Sequence, residues 1–217
     1  MKKGGIITVF LIIGAIIMGC PDTVSHSRGI YMLLDTSGTY KNELQKACAI
    51  VHYLLGTLEP GDSLAIARID TGSFSEKDII KKVTFDRRPS VSNKQKRIFR
   101  DVIDTFISSA QGSSYTDITG GIVQAVEYLN ETGAGKKHIL IFSDLKEELA
   151  KGYVRDFPIK MQGFNVVALN VTKLRSDNVD PREYAKRLAH WKERTVTGGG
   201  NWRVINNLEQ FDTILVD

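Results

Sequence analysis

A short buried strand that ends in an acid is the feature that most constrains the fold. Residues 30–34 form an apolar run, and Asp35 follows at once, in a turn rich in small hydroxyl residues. Apolar residues then recur every three or four positions, which predicts an amphipathic helix; they are Leu44, Ala47, Cys48, Val51, Leu54, Leu55 and Leu58. A strand, a turn and a helix in this order open an α/β sheet. Such sheets bind ligands at the carboxyl ends of their strands.

The turn after this strand carries three oxygen-bearing side chains at alternate positions. Asp35, Ser37 and Thr39 can direct one carboxylate and two hydroxyls into a single pocket. Hard divalent cations take oxygen ligands of this kind. The pattern Asp-x-Ser-x-Thr after a first strand resembles the metal-ion-dependent adhesion site of von Willebrand factor type A (VWA) domains. The resemblance implies that these three residues help to bind Mg²⁺, or Mn²⁺ or Ca²⁺ in its place.

Two later stretches match the remaining ligand positions of that family. Thr116 stands just before a helix, in the small polar loop at 112–121. Asp144 ends the apolar strand that begins at Lys137. The resemblance implies that Thr116 donates a further hydroxyl to the metal and that Asp144 supplies the last acid. The joint occurrence of all five positions, in the family's order, is far more specific than any one of these short motifs.

Two further acids lie near the predicted metal face, and each has two interpretations. Asp117 could orient a ligand or a metal-bound water, or it could cap the helix that follows. Asp70 comes at the carboxyl end of the second strand, where it could contact the metal directly or cap the turn. Both residues are therefore secondary candidates for the site.

The order of strands and helices predicts the architecture. Strands at 63–69 and 79–85 are joined by a short loop, so they must pair antiparallel. Further strands are predicted at 164–171 and 202–205, and Asn207 is positioned to cap a last helix. The resemblance agrees with this reading. We expect a three-layer, doubly wound α/β fold with a mostly parallel six-stranded sheet, one antiparallel edge strand and helices on both faces.

The amino-terminal segment is typical of an exported protein. Lys2 and Lys3 precede an almost wholly apolar run at 6–18, which is too short for a comfortable membrane span. The run leads to Gly19-Cys20, which resembles a bacterial lipobox. The resemblance implies cleavage before Cys20 and lipid attached to its sulfur and its new amino terminus. An ordinary signal peptide with a chance cysteine is the alternative.

The lipobox interpretation predicts both the domain organisation and the location of the protein. A lipidated Cys20 would anchor the protein to a membrane of a bacterial cell envelope, facing the periplasm or the exterior. The predicted parts are a lipoprotein signal peptide at 1–19, a lipidated tether at 20–27 and a VWA domain at 28–217.

Charge and the remaining reactive residues exclude two classes of protein. Without Lys2 and Lys3, the 29 basic residues become 27 against 25 acidic ones, a balance that does not favour nucleic acid as a partner. No two of the four histidines have the spacing of zinc ligands, which argues against a zinc enzyme. Cys48 lies on the apolar face of the first helix, which predicts a buried and inert thiol.

The resemblance implies metal-dependent recognition of another protein, with no bond broken. An acidic residue of the partner would fill an open position on the metal. A metal-independent VWA scaffold in an envelope complex is one alternative. The other is a hydrolase, because residues 35–39 superficially match the Asp-x-Asp-Gly-Thr of haloacid-dehalogenase phosphatases. In those enzymes the second acid of the motif acts as a general acid and base. Ser37 stands at its position here and cannot take that role, so we predict that the chain is not an enzyme.

Overall fold

The structure is a computed structural model that describes residues 26–38, 40–71, 75–207, 213 and 215. Several predictions from the sequence lie outside these residues. They are the signal peptide at 1–19, the lipidation site Cys20, the metal ligand Thr39, and Leu208, Phe211 and Ile214 of the last helix.

Six strands form one sheet in the order β3-β2-β1-β4-β5-β6. β2 and β3 pair antiparallel, and every other neighbouring pair is parallel. This confirms the predicted sheet, including the antiparallel edge strand that the short β2–β3 loop requires. The strands are β1 (Arg28–Leu34), β2 (Ser63–Arg68), β3 (Ile79–Thr84), β4 (Lys136–Phe142), β5 (Phe164–Leu169) and β6 (Asn201–Ile205).

Four helices cover the two faces of the sheet. They are α1 (Leu44–Thr57), α2 (Pro89–Ser109), α3 (Ile118–Glu131) and α4 (Arg182–Thr197). Short 3₁₀ turns lie at Lys41–Glu43, Glu76–Asp78 and Arg175–Asn178. No helix among these described elements has the length and apolarity needed to span a bilayer. The three-layer α/β architecture expected from the sequence is thus confirmed.

Alternation along β1 divides the interior into two cores. Ile30, Met32 and Leu34 face the core covered by α1 and α2, whereas Tyr31 and Leu33 face the core covered by α3 and α4. Successive side chains of a strand point to opposite faces, so a strand covered on both sides is apolar at every position. This is why the run at 30–34 lacks the polar alternation of a half-exposed strand.

Gly121 lets α3 approach the sheet closely. A β-carbon at this position would lie 2.8 Å from side-chain atoms of both Leu33 and Ile69, which are fully buried. Only glycine allows the helix backbone to come this near without moving its neighbours. The first turn of α3 is therefore held against the ends of β1 and β2, beside the loop that carries Thr116.

Candidate metal centre

The candidate site lies where the strand order reverses. β1 sits between β2 and β4, and Leu34 is in register with Phe142 at the carboxyl ends of β1 and β4. The pairing extends one residue further, because the Asp35 amide donates to the Phe142 carbonyl at 3.0 Å. Asp35 and Asp144 therefore follow two adjacent parallel strands at their shared end. This crevice is the usual ligand site of an open α/β sheet.

Asp35 is held in one orientation at the bottom of the site. Its side chain is completely buried. One carboxylate oxygen accepts a hydrogen bond from the Ser37 amide at 2.9 Å, and the other accepts one from the Ser143 hydroxyl at 2.6 Å. Burial raises the pKa of Asp35, the hydrogen bonds from Ser143 and Ser37 lower it in part, and the nearby Asp70 raises it again.

Asp144 is a second buried acid close enough to the first to feel its charge. The turn after β4 is tight, since Leu145 takes a left-handed φ of 66°, and Asp144 Oδ1 accepts from the Lys146 amide at 2.9 Å. The pKa of Asp144 is raised to about 6, chiefly by burial and then by the charge of Asp35, against the opposing effects of Lys146 and Arg187. The two acids thus concentrate negative charge where solvent screens it poorly.

Two short backbone pairings hold the three loops of the site together. Thr116 and Glu148 exchange amide-to-carbonyl hydrogen bonds of 2.8 and 2.9 Å, so the loop before α3 lies against the loop after β4. Ser37 pairs with Ser113, and the Gly38 amide donates to the Ser113 carbonyl at 2.9 Å. The structure therefore places the loops of Ser37, Thr116 and Asp144 together at one edge of the sheet. Thr116 and Ser37 are both buried.

Asp117 has the capping role that was one of its two interpretations. Its carboxylate accepts from the Gly120 amide at 2.7 Å, which caps α3. It also pairs with Arg155, whose closest nitrogen lies 2.8 Å away. Asp117 is completely buried. The ion pair with Arg155 fixes the residue that directly follows Thr116, so Asp117 helps to position the small polar loop at 112–121.

Asp70 contributes a third acidic side chain beside the crevice. Its Oδ1 lies 3.5 Å from Arg68 Nε but accepts no hydrogen bond from any described residue. The buried hydroxyl of Thr36 likewise has no hydrogen-bond partner in the described part of the chain. Both residues line a cavity of about 510 Å³ together with Ser113. Buried polar atoms without partners are rare in native proteins and indicate bound water or an ion.

The donor atoms at this edge fit a hard cation. The described candidate ligands are two carboxylates and two hydroxyls, so every donor atom is an oxygen. The two acids are buried close to one another. Mg²⁺, Mn²⁺ and Ca²⁺ bind oxygen ligands, and a dication would offset the repulsion between Asp35 and Asp144. The remaining predicted ligand, Thr39, lies outside the described residues.

A polar cluster between α1 and α2 was missed by the sequence analysis. Cys48 and His52 of α1 meet Asp104 of α2. Cys48 is only partly buried, and burial followed by Asp104 raises its pKa to about 11. The predicted full burial of Cys48 was therefore wrong, whereas its raised pKa agrees with the predicted low reactivity of the thiol. The sequence did hold one indication of this cluster. Cys48 and His52 are four residues apart, and residues at i and i+4 lie on the same face of a helix.

Comparison with known proteins identifies the fold. The sequence matches no family model and no curated protein. A von Willebrand factor type A structure from Catenulispora acidiphila matches with a TM-score of 0.53 and 12% identity, over 86% of this chain and 40% of that one. The chain has the fold of a VWA domain. The pilus adhesin SpaC from Lactobacillus rhamnosus GG is a similar structure, with a TM-score of 0.54 and 11% identity over 88% of this chain and 29% of that one.

Proximal thread matrix protein 1 from the mussel byssus is a further similar structure, with a TM-score of 0.50 and 13% identity over 88% of this chain and 47% of that one. The chain spans less than half the length of each of these three structures. At such low identity the likeness concerns the fold. It confirms the architecture that the resemblance implied, whereas the metal site and the lipid anchor stay predictions.

Proposed function

We propose that this VWA domain binds a divalent cation, Mg²⁺ or else Mn²⁺ or Ca²⁺, and uses it to recognise a protein partner. The ligands would be Asp35, Ser37, Thr39, Thr116 and Asp144. The observation that carries the proposal is the pair of buried carboxylates, Asp35 and Asp144, at the point where the strand order reverses. Their pKa values are raised by burial, and that of Asp144 also by the charge of Asp35.

The electrostatics of the two acids support a cation there. Two ionised carboxylates at a buried position repel each other, and removing them from water is unfavourable. A dication bound between them would reverse both effects. The hydroxyls of Ser37 and Thr116 would add ligands without adding negative charge, so the metal would stay electrophilic. A vacant position on such a metal accepts an acidic side chain from a partner.

Recognition accounts for this donor set better than hydrolysis does. A phosphatase of the type considered above needs a second acid two residues after the first, and Ser37 occupies that place. The Ser143 hydroxyl donates to Asp35 and accepts from the Leu145 amide, so it is committed to holding the turn. We therefore propose that the domain binds its partner without catalysing a reaction.

Substituting Asp35 with Ala is expected to abolish Mg²⁺ and Mn²⁺ binding in isothermal titration calorimetry. The variant removes the acid that is held in place by two hydrogen bonds, and a hard cation depends on charged oxygen ligands. The circular dichroism spectrum should stay that of the native protein. Asp101→Ala, at an exposed position on α2, is the matched control and should bind normally. Unchanged metal affinity in Asp35→Ala would refute the proposed site.

A pull-down with the whole chain as bait, with and without EDTA, tests the use of the metal. Partners that need the metal should be captured only when EDTA is absent, and Asp35→Ala should not capture them. Capture that is equal in both conditions, together with a melting temperature that Mg²⁺ leaves unchanged, would support the metal-independent scaffold instead.

We further propose that the domain is held on a membrane of a bacterial cell envelope through lipid on Cys20, which lies outside the described residues. Cys20→Ser is expected to move the protein from the membrane fraction to the soluble fraction after cell lysis. The acyl chains supply the binding energy for anchoring, and serine cannot receive them. Cys48→Ser is the matched control and should stay with the membrane. A Cys20→Ser variant that remains in the membrane fraction would mean that another segment anchors the chain.

A further inference from the structure

Three potential metal ligands from two helices converge on one point, apart from the oxygen-lined metal site proposed above. Cys48 and His52 lie one turn apart on α1, and Asp104 reaches them from α2. The thiol sulfur lies 3.6 Å from His52 Nε2 and 3.2 Å from Asp104 Oδ1. His52 Nε2 and Asp104 Oδ1 are 2.8 Å apart. One donor atom from each residue thus forms one corner of a small triangle.

The triangle has nearly the dimensions of one face of a tetrahedral zinc site. Metal–ligand bonds of about 2.0–2.3 Å at tetrahedral angles separate the donor atoms by about 3.4–3.6 Å. The sulfur–nitrogen distance of 3.6 Å already has this value. The two distances to Asp104 are shorter because they are hydrogen bonds, and opening them by less than about 1 Å would admit the metal.

The cluster is accessible, and its ligand types select the cation. The side chains of His52 and Asp104 are 41% and 43% exposed, so an ion can enter from solvent and keep a water as its fourth ligand. A thiolate and a carboxylate would supply two negative charges to a dication. Thiolate and imidazole favour Zn²⁺ and similar borderline metals over Mg²⁺ or Ca²⁺.

The surroundings also disfavour a purely electrostatic cation site. Arg100 acts on the charge of Asp104, and Lys96 and Arg97 line the groove beside His52 together with Arg100. These positive charges oppose any cation held by charge alone. Binding here must therefore come from the metal–sulfur and metal–nitrogen bonds, which Mg²⁺ does not form well.

We propose that Cys48, His52 and Asp104 form a second metal site that binds Zn²⁺ or a similar borderline dication and joins α1 to α2. Binding transfers the thiol proton to solvent as the metal–sulfur bond forms, so no oxidant or reductant is needed. The fourth position would be open to water. This site is independent of the oxygen-lined one proposed above.

A nucleophilic cysteine is the competing interpretation, and the geometry opposes it. In such a relay the carboxylate holds the imidazole nitrogen that is remote from the nucleophile. Here Asp104 and Cys48 both lie at the same nitrogen, Nε2 of His52, and they contact each other directly. Three donors that meet at one point describe a chelate.

Titration with Co²⁺ as a spectroscopic substitute for Zn²⁺ tests the proposal. The whole chain with Cys20→Ser, in detergent, leaves Cys48 as its single thiol. We expect a thiolate-to-cobalt charge-transfer band in the near ultraviolet that added Zn²⁺ removes by displacement. Cys48→Ser should abolish the band. His52→Gln and Asp104→Asn should each weaken Co²⁺ affinity by about 10-fold or more. Even residues that only hydrogen-bond to metal ligands typically cost about 10-fold when they are replaced.

Matched controls separate this site from others in the chain. His190→Gln and Asp101→Asn change an exposed histidine and an exposed acid outside the cluster, and both should bind Co²⁺ normally. Asp35→Ala should leave the charge-transfer band unchanged, so failure of one proposal is distinguishable from failure of the other. His52→Gln changes a half-exposed side chain and should fold even if Cys48→Ser does not. A folded protein without the band, or a band that survives Cys48→Ser, would overturn the proposal.

Discussion

Substituting Asp144 with Asn is expected to stabilise the metal-free protein at pH 7 and to abolish the stabilisation that Mg²⁺ gives the wild type. The Asp144 side chain is buried, and its pKa is raised from 3.8 to about 6 by burial and by the charge of Asp35. At pH 7 the folded protein therefore holds an ionised acid in an unfavourable place. The shift corresponds to about 3 kcal/mol of lost stability above the raised pKa.

The direction of the pH dependence follows from proton binding. Between about pH 4 and pH 6 the folded state keeps the Asp144 proton that the unfolded chain has lost, so stability falls as the pH rises through this window. Asparagine stays neutral and can still accept from the Lys146 amide. The advantage of the variant over the wild type should therefore be near zero at pH 4 and largest at pH 7.

Urea denaturation at several pH values in EDTA, repeated with saturating Mg²⁺, measures both effects. A ligand present at 100 times its dissociation constant stabilises the native state by about 2.7 kcal/mol. Wild type should gain on this scale and Asp144→Asn should not. Asp101→Asn, which changes an exposed acid on α2, should follow the wild type in both conditions. A variant that is less stable than wild type at pH 7 in EDTA, or that keeps the full gain from Mg²⁺, would contradict this account.

Substituting Arg155 with Met is expected to lower the free energy of unfolding by about 3 kcal/mol, because it leaves a buried carboxylate without its cation. Arg155 binds the completely buried Asp117 through two of its nitrogens, at 2.8 and 3.2 Å. Methionine keeps much of the apolar stem and removes the charge. Since Asp117 also caps α3 beside Thr116, the loss should spread to the loop at 112–121, which carries Thr116 of the proposed metal site.

A double-mutant cycle checks the cause of that loss. Asp117→Asn in the Arg155→Met background should restore part of the stability, because an amide can still cap the helix and carries no charge. Arg182→Met is the matched control: Arg182 makes a similar fork with Asp180 at the surface and should matter little. Denaturation in EDTA of the wild type, the two single variants Arg155→Met and Asp117→Asn and the double variant gives the coupling energy. Purely additive losses would show that the pair does not act as argued.

Local pattern was enough to predict most of the architecture. The apolar run at 30–34 is buried at every position because helices cover both faces of its strand. The short connection between β2 and β3 permits only antiparallel pairing. One acid directly after β1 and another two residues after β4 lie at the end of the sheet where open α/β sheets usually bind ligands. These are properties of neighbouring residues, so they can be read along the chain.

Alternatives that depended on a distant partner were decided only by the fold. The capping role of Asp117 was already open from the sequence, but its ion pair could be assigned only once Arg155, 38 residues further along the chain, was seen beside it. The raised pKa of Asp144 depends on how deeply it is buried and on Asp35, which lies on a different strand. Neither the contact of Asp117 with Arg155 nor the burial of Asp144 near Asp35 can be read from a local sequence pattern.

The sequence by itself determined the order of strands and helices, the antiparallel edge and the acids and hydroxyls available at the end of the sheet. Only the tertiary structure decided which of them meet. Asp104 lies 56 residues from Cys48 and reaches it because α1 and α2 pack side by side on one face of the sheet. Such contacts arise from packing between elements, whereas hydrophobic periodicity and turn chemistry act between neighbours along the chain.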